Sequence, residues 1–185
     1  MPNVKHKIIT MPRLQSAADD VMDELDEFGL WNERLAKIDV YLVFVGSAYG
    51  WQFYRGSGNI EIPAISLSRL STIFFGGRRV TLRDLLRHEY GHAVADTNRV
   101  LIRSRRFAAA FGTPHDSAIP SDYSEDEHVT TYAAQDSCED FAEVFMFYLK
   151  HRGKIPSRFE TRKIKRKWQF VDRLCQRIAD GKRRW

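Results

Sequence analysis

The sequence predicts an α+β fold in which a small mixed sheet precedes a central helix and further helices follow it. Strand-like runs rich in β-branched and aromatic residues lie between residues 40 and 75. From Thr81 onward, apolar residues recur mainly at helical spacing. A length of 185 residues, 43% of them hydrophobic, suits one globular domain with a sizeable core. We therefore treat residues 1–185 as one domain with an N-terminal part (1–80), a central part (81–150) and a C-terminal part (151–185).

The N-terminal part begins with a predicted amphipathic helix over residues 16–28, where apolar residues recur at helical spacing among acidic ones. Residues 31–38 are expected to form a second short helix. The β-branched and aromatic run 40–45 predicts a buried strand. Glycine-rich segments at 46–50 and 55–58 predict turns.

A second strand is predicted over residues 59–66. Pro63 lies within it and has no N–H to donate, which indicates an edge strand or a bulge. Residues 71–75 fit either a third strand or the end of a helix, and the glycines at 76–77 predict another turn.

The central helix carries an HExxH motif, His88-Glu89-Tyr90-Gly91-His92. Thr81 and Asp84 resemble a capping box at its start. Four residues span about one helical turn, so both imidazoles project from one face and can bind one zinc ion. Glu89 lies beside them and is placed to take a proton from a metal-bound water.

A catalytic zinc ion needs three protein ligands and one open position for water. A predicted helix over residues 138–150 offers Glu139 in its first turn as the strongest candidate for the third ligand. Glu143 lies four residues further on, on the same face, and could accept the free N–H of a ligand histidine. The alternatives for the third ligand are His115, His128, Asp136 and Asp96.

Two further site elements are predicted. The phenol of Tyr132, seven residues before Glu139, could donate a hydrogen bond to the oxyanion formed during amide hydrolysis, although a half-buried structural tyrosine is the alternative. A substrate peptide is expected to add to the edge strand 59–66. Its contacts are expected at Ile60, Ile62 and Ala64.

The C-terminal part is predicted to be a basic helix over residues 158–180, with Ser157 and Glu160 as its capping box and Gly181 just past its end. Residues 150–185 hold 14 Lys and Arg against 3 Asp and Glu, a net charge of +11, whereas the remainder has a net charge of −6. Such a segment could meet nucleic acid or an acidic partner, but we favour a solvated helix face.

The sequence also bears on compartment and thiol chemistry. There is no run of about 18 apolar residues and no signal peptide, so we expect no membrane span and a cytoplasmic location. Two cysteines, Cys138 and Cys175, give neither a disulfide framework nor a CxxC zinc ribbon. We expect Cys138 to be a buried structural thiol.

The central part resembles the gluzincin metallopeptidases, which pair HExxH with a downstream glutamate. Residues 88–96 are similar to the active helix of thermolysin, and the spacing from Tyr132 to the segment 139–143 is similar to the catalytic domain of anthrax lethal factor. The strongest resemblance is to bacterial zinc-binding metallopeptidases, whose F-x-x-x-F-G stretch is matched by residues 107–112 and whose ligand helix is matched by residues 132–149. The resemblance covers about residues 80–150.

This resemblance implies a zincin-like fold, one zinc ion per chain held by His88, His92 and Glu139, and hydrolysis of peptide or protein substrates with Glu89 as the general base. Members of that family often carry an N-terminal cysteine zinc ribbon, which this chain lacks. Three alternatives stay open: a closed zinc site of purely structural use, a nucleic-acid- or partner-binding protein, and a peptidase of the phage-repressor-cleaving type.

Overall fold

The computed structural model describes residues 8–46, 49–54, 57–75 and 79–185, and these residues form an α+β fold, as predicted. The strands are β1 (Asp39–Val43), β2 (Gly50–Tyr54) and β3 (Ser57–Pro63). The helices are α1 (Met11–Glu27), α2 (Leu67–Phe74), α3 (Leu82–Thr97), α4 (Arg99–Ile102), α5 (Arg105–Phe111), α6 (Ser137–Lys150) and α7 (Arg162–Ala179). Short 3-10 turns occur at Leu35–Lys37, Tyr132–Ala134 and Ser157–Phe159. Parts of the predicted turns at 46–50 and 55–58, and the turn at 76–77, lie outside the described residues.

The three strands form a mixed sheet in the order β1-β3-β2. β1 runs parallel to β3, whereas β2 pairs with β3 in antiparallel register, with Trp51 opposite Ile60. The sequence pattern did not predict β2, because it is a short run between two glycine-rich segments. The ambiguous run 71–75 proves to be the end of helix α2.

The predicted edge position of the strand 59–66 is wrong, because β3 is the central strand. Pro63 is tolerated since it is the last residue of the ladder, opposite Val43. Ile60 and Ile62 are fully buried, and the Ala64 N–H already donates to the Val43 carbonyl at 2.9 Å. A substrate peptide therefore cannot add to this strand at Ile60, Ile62 and Ala64.

Helix starts depend on capping residues that local patterns identify only in part. The capping box of α3 is confirmed: Thr81 Oγ1 accepts from the Asp84 N–H at 3.1 Å, and Asp84 Oδ2 accepts from the Thr81 N–H at 3.2 Å. The capping box predicted at Ser157 is wrong, because α7 begins only at Arg162, with the Thr161 side chain as its N-cap. Gly181 follows α7 with a φ of +67°, as predicted for a residue just past a helix end.

The first helices also differ from their predicted bounds. α1 starts at Met11, five residues earlier than expected, because Pro12 fits the first turn of a helix. The predicted helix over 31–38 shrinks to a single 3-10 turn. Among the helices in the described ranges, none is both long and apolar enough to span a bilayer.

Helix α3 lies at the centre of the fold and contacts α1, α6 and β2. Helix α6 packs against α3 at Gly91. A Cβ atom at Gly91 would lie 3.2 Å from Ala142 Cα and 3.2 Å from a ring carbon of Phe145. Because interiors are close-packed, any side chain at this position would require α6 to shift away from α3.

An ionic cluster around the buried Arg87 and Asp84 fixes the orientation of α3. Arg87 donates two hydrogen bonds to the Glu24 carboxylate of α1, at 2.6 and 2.7 Å, and a third to Asp84 at 2.7 Å. Lys150 at the end of α6 also donates to Asp84, at 2.9 Å. This bidentate and charge-assisted geometry ties three helices together at one end of α3.

Replacing Gly91 with valine is expected to push α6 away from α3 and to lower the free energy of unfolding by about 1–3 kcal/mol. The helix separation should also weaken zinc binding, because α3 and α6 carry different candidate ligands. Urea unfolding and competitive zinc titration measure the two effects. Ala109→Val, on the exposed side of α5, is the matched control, and equal behaviour of both variants would contradict this account of Gly91.

Candidate metal centre

Helices α3 and α6 bring three candidate ligands to one point. His88 Nε2 and His92 Nε2 lie 3.1 Å apart on one face of α3. Glu139 Oε2, from the first turn of α6, lies 3.1 Å from His88 Nε2 and 3.5 Å from His92 Nε2. Asp136 fixes this first turn, because its Oδ1 accepts from the Glu139 N–H at 2.8 Å. The sequence-predicted trio is therefore assembled by the packing of these two helices.

The donor set and its spacing fit a zinc ion. Donor atoms held at about 2.0–2.1 Å from a tetrahedral ion stand about 3.3 Å apart, close to the three distances observed. Glu139 Oε2 is buried and, within the described part of the chain, no hydrogen bond is directed at it, although both imidazoles are near. A buried carboxylate oxygen that accepts no hydrogen bond is unfavourable unless a cation lies beside it, so this oxygen is suited to bind a metal ion.

The electrostatics of the metal-free cluster reflect this convergence. Burial opposes protonation of His88, but the carboxylates of Glu139 and Glu143 outweigh it and raise the pKa of His88 to about 9. Burial likewise opposes protonation of His92, yet its contacts with Cys138 and Glu139 raise its pKa well above the ordinary value. Burial alone would raise the pKa of Glu139, but the two histidines hold it far below its usual range. In the absence of a metal ion, protons on His88 and His92 balance the negative charge of the neighbouring carboxylates.

Glu143 contacts His88, one of the candidate ligands. This contact was predicted from the position of Glu143 four residues after Glu139. Its Oε1 lies 3.1 Å from His88 Nδ1, and its Oε2 accepts from the Thr130 hydroxyl at 2.5 Å. Thr130 Oγ1 accepts in turn from the Ala133 N–H at 3.2 Å. Glu143 is fully buried, so this chain of contacts holds the His88 ring with Nε2 facing the candidate ligand cluster.

Cys138 contacts the other ligand histidine, which the sequence did not reveal. Its Sγ lies 3.2 Å from His92 Nδ1, and the residue is half-buried rather than buried. The predicted burial of Cys138 is therefore wrong, and its thiol contacts a candidate ligand. The available signal was its position in the chain, directly before Glu139 in the first turn of the ligand helix. The Cys138 thiol thus contacts Nδ1 of His92, as the Glu143 carboxylate contacts Nδ1 of His88.

Glu89 is held by strand β2. Its Oε2 accepts from the Trp51 N–H at 2.6 Å, and the residue is buried. A Cβ atom at Gly50 would lie 2.9 Å from the same oxygen, so glycine leaves room for the carboxylate. Trp51 also donates from its indole Nε1 to Asp96 Oδ2 at 2.8 Å, one turn beyond His92. The unpredicted strand therefore positions the predicted base.

Tyr132 lies beside the cluster. Its ring centroid is 5.7 Å from that of His88 and 5.5 Å from that of Phe75. Burial, and then the negative charges of Glu139 and Glu89, raise the pKa of the phenol far above its ordinary value. Its hydroxyl therefore stays protonated and can act as a hydrogen-bond donor at any working pH.

The four alternative third ligands make other contacts. Asp96 accepts a hydrogen bond from the Trp51 indole and forms an ion pair with Arg99. The side chain of Asp136 caps the start of α6. His128 is held by serines of its own loop, and His115 packs edge-on against aromatic rings of the core. Over the described ranges, the group of side chains that could hold a metal ion consists of His88, His92 and Glu139.

Comparison of this chain with models of known protein families, with curated proteins and with solved structures finds no match.

Zinc affinity is expected to rise with pH between about 6 and 9. The metal-free His88 has a pKa raised to about 9, and zinc must displace its proton, so affinity falls by up to tenfold per displaced proton for each unit below that pKa. Calorimetry at pH 7 in two buffers of different ionisation enthalpy should detect the released protons. Zinc affinity independent of pH over this range would contradict the ligand assignment of His88.

Cys138→Ala is expected to weaken zinc binding about tenfold, the lower end of the range for lost contacts behind a metal ligand. Cys138→Asp, which restores an acceptor for His92 Nδ1, should recover most of the affinity. Cys175→Ala, at the buried second cysteine in α7, is the control for the loss of a thiol. Competition against a chromophoric chelator measures all three variants, and unchanged affinity in Cys138→Ala would show that the contact does not orient His92.

Proposed function

We propose that this chain is a single-zinc metallopeptidase of the gluzincin type, with a zincin-like fold. The observation that carries the proposal is the cluster of His88, His92 and Glu139, with the carboxylate of Glu89 held next to it by Trp51. A purely structural zinc site would use four protein ligands. Within the described residues the candidate cluster has three members, which favours an open position for water and substrate.

A zinc ion held by His88, His92 and Glu139 would supply a Lewis acid for the scissile carbonyl and would increase the acidity of the attacking water. Glu89 accepts the proton of that water and passes it to the leaving amine. Tyr132 donates a hydrogen bond to the carbonyl oxygen as negative charge develops on it. Glu143 and Cys138 keep the two imidazoles in the orientation that binding requires.

Strand β2 replaces β3 as the expected docking edge for a substrate peptide. β2 is one of the two outer strands of the described sheet, and its Trp51 N–H points toward Glu89 rather than toward β3. Backbone groups alternate in direction along a strand, so those of Phe53 face the same way. A peptide extended along this edge would lie close to the general base, which supports peptide bonds as the substrate class.

The decisive experiment is cleavage profiling of the zinc-loaded protein against a proteome-derived peptide library, with Glu89→Gln as the inactive counterpart. We expect the variant to keep zinc and fold but to lose activity by about 100-fold to 10,000-fold, the usual contribution of a general base. Cleavage by wild type and variant alike would contradict the mechanism.

Glu139→Gln separates metal binding from chemistry. This variant should lose zinc affinity and activity together, whereas Glu89→Gln should lose activity alone. Zinc bound by four protein donors in the X-ray absorption spectrum, together with an absence of cleavage, would favour a structural metal site instead.

A further inference from the structure

The exposed face of α7 carries a stripe of arginines. Arg162, Arg166, Arg173 and Arg177 recur at helical spacing with Gln169 between them, so they lie on one face of the helix. All are exposed except Arg177, which is half-buried. At about 1.5 Å per residue the stripe is about 22 Å long.

The part of this stripe from Arg162 to Arg173 forms one wall of a groove. Two open cavities of about 240 and 460 Å³ share Arg166 and Gln169. The opposite wall comes from α5, where Arg106 and Ala109 line the cavity of about 240 Å³ together with Trp185. The guanidinium of Arg106 lies over the Trp185 ring, 5.2 Å from its centre, so a cation–π contact holds this arginine at the groove.

The positive charge of the groove is not neutralised from within. Acidic neighbours of α7 pair with its lysines instead: Lys163 with Glu127, Lys165 with Glu160, and Lys167 with Asp140. Glu160 also lines the groove, but Lys165 pairs with it, whereas no ion pair within the described residues involves Arg106 or the stripe arginines. Unpaired arginine charge therefore predominates along a concave surface, which concentrates the electrostatic field there.

We propose that this groove binds the phosphodiester backbone of a nucleic acid. The observation that decides against a merely solvated face is that four arginines line one groove: Arg162, Arg166 and Arg173 of α7, and Arg106 of α5. From Arg162 to Arg173 the groove wall is about 16 Å long and spans about five nucleotide steps of 3.4 Å, so successive arginines can reach separate phosphates. Arginine binds phosphate oxygens in a bidentate manner and suits this purpose better than lysine. Binding is independent of base sequence, because the groove contacts backbone rather than base edges.

The test measures fluorescence anisotropy of the full chain with a labelled 20-nucleotide single strand and a 20-base-pair duplex between 50 and 200 mM salt. The groove variant carries three substitutions, Arg162→Gln, Arg166→Gln and Arg173→Gln. The matched control removes the same charge from exposed arginines of the N-terminal and central parts, through Arg69→Gln, Arg79→Gln and Arg83→Gln. Circular dichroism establishes that both variants are folded.

We expect the wild type to bind in a salt-dependent manner. The groove variant should bind at least tenfold more weakly at 100 mM salt, with the slope of log K against log salt reduced by about 2–3 for three lost phosphate contacts. The control should stay within about threefold of wild type, since it removes charge but no phosphate contact. Comparison of the two probes assigns the ligand to single strands or to duplexes.

Three results would overturn the proposal. Wild-type protein that binds neither probe at 50 mM salt would leave the groove a solvated surface. Equal weakening of nucleic-acid binding in both variants would show that net charge alone explains the effect. Displacement of the nucleic acid by a lower concentration of polyglutamate than of unlabelled nucleic acid would assign the groove to an acidic polypeptide. None of these results depends on zinc or on hydrolysis, so the proposal stands or falls separately from the peptidase.

Discussion

The contact between α3 and α6 at Gly91 is the constraint on which the candidate site depends. Two candidate ligands come from α3 and the third from α6, 47 residues further along the chain from His92. Donors can converge within about 3.5 Å only if the two backbones approach closely, and the missing side chain at Gly91 permits that approach. The Arg87 cluster at one end of α3 then limits rotation of the helix, so both histidines keep facing α6.

Local pattern was enough to predict which residues the fold brings together in the candidate metal centre. The spacing of His88 and His92 put both on one helix face, and the position of Glu139 in the first turn of a helix put its carboxylate where a partner helix could meet it. The contact of Glu143 with a ligand ring followed from the same four-residue spacing. These inferences succeeded because helical geometry converts sequence separation directly into direction.

The sheet and the contacts between distant segments could not be predicted in this way. β2 is only five residues long. Its half-buried pattern results from its pairing with β3, and no local sequence pattern encodes that pairing. Pro63 led to the prediction of an edge strand. Because it is the last residue of the ladder, its missing N–H does not prevent β3 from pairing with a strand on each side. The approach of Cys138 to His92 likewise arises from helix packing. Pairings of this kind depend on the whole fold, so residue type alone does not reveal them.

The hydrogen bond from strand β2 to Glu89 comes from the main chain of Trp51, not from its side chain. Every residue except proline supplies that N–H, so the carboxylate would stay anchored through almost any exchange at position 51. The indole meanwhile occupies a separate place, against Asp96. Anchoring Glu89 and contacting Asp96 thus depend on different atoms of one residue, so a substitution at position 51 would change the surroundings of the candidate centre while Glu89 keeps its backbone hydrogen bond.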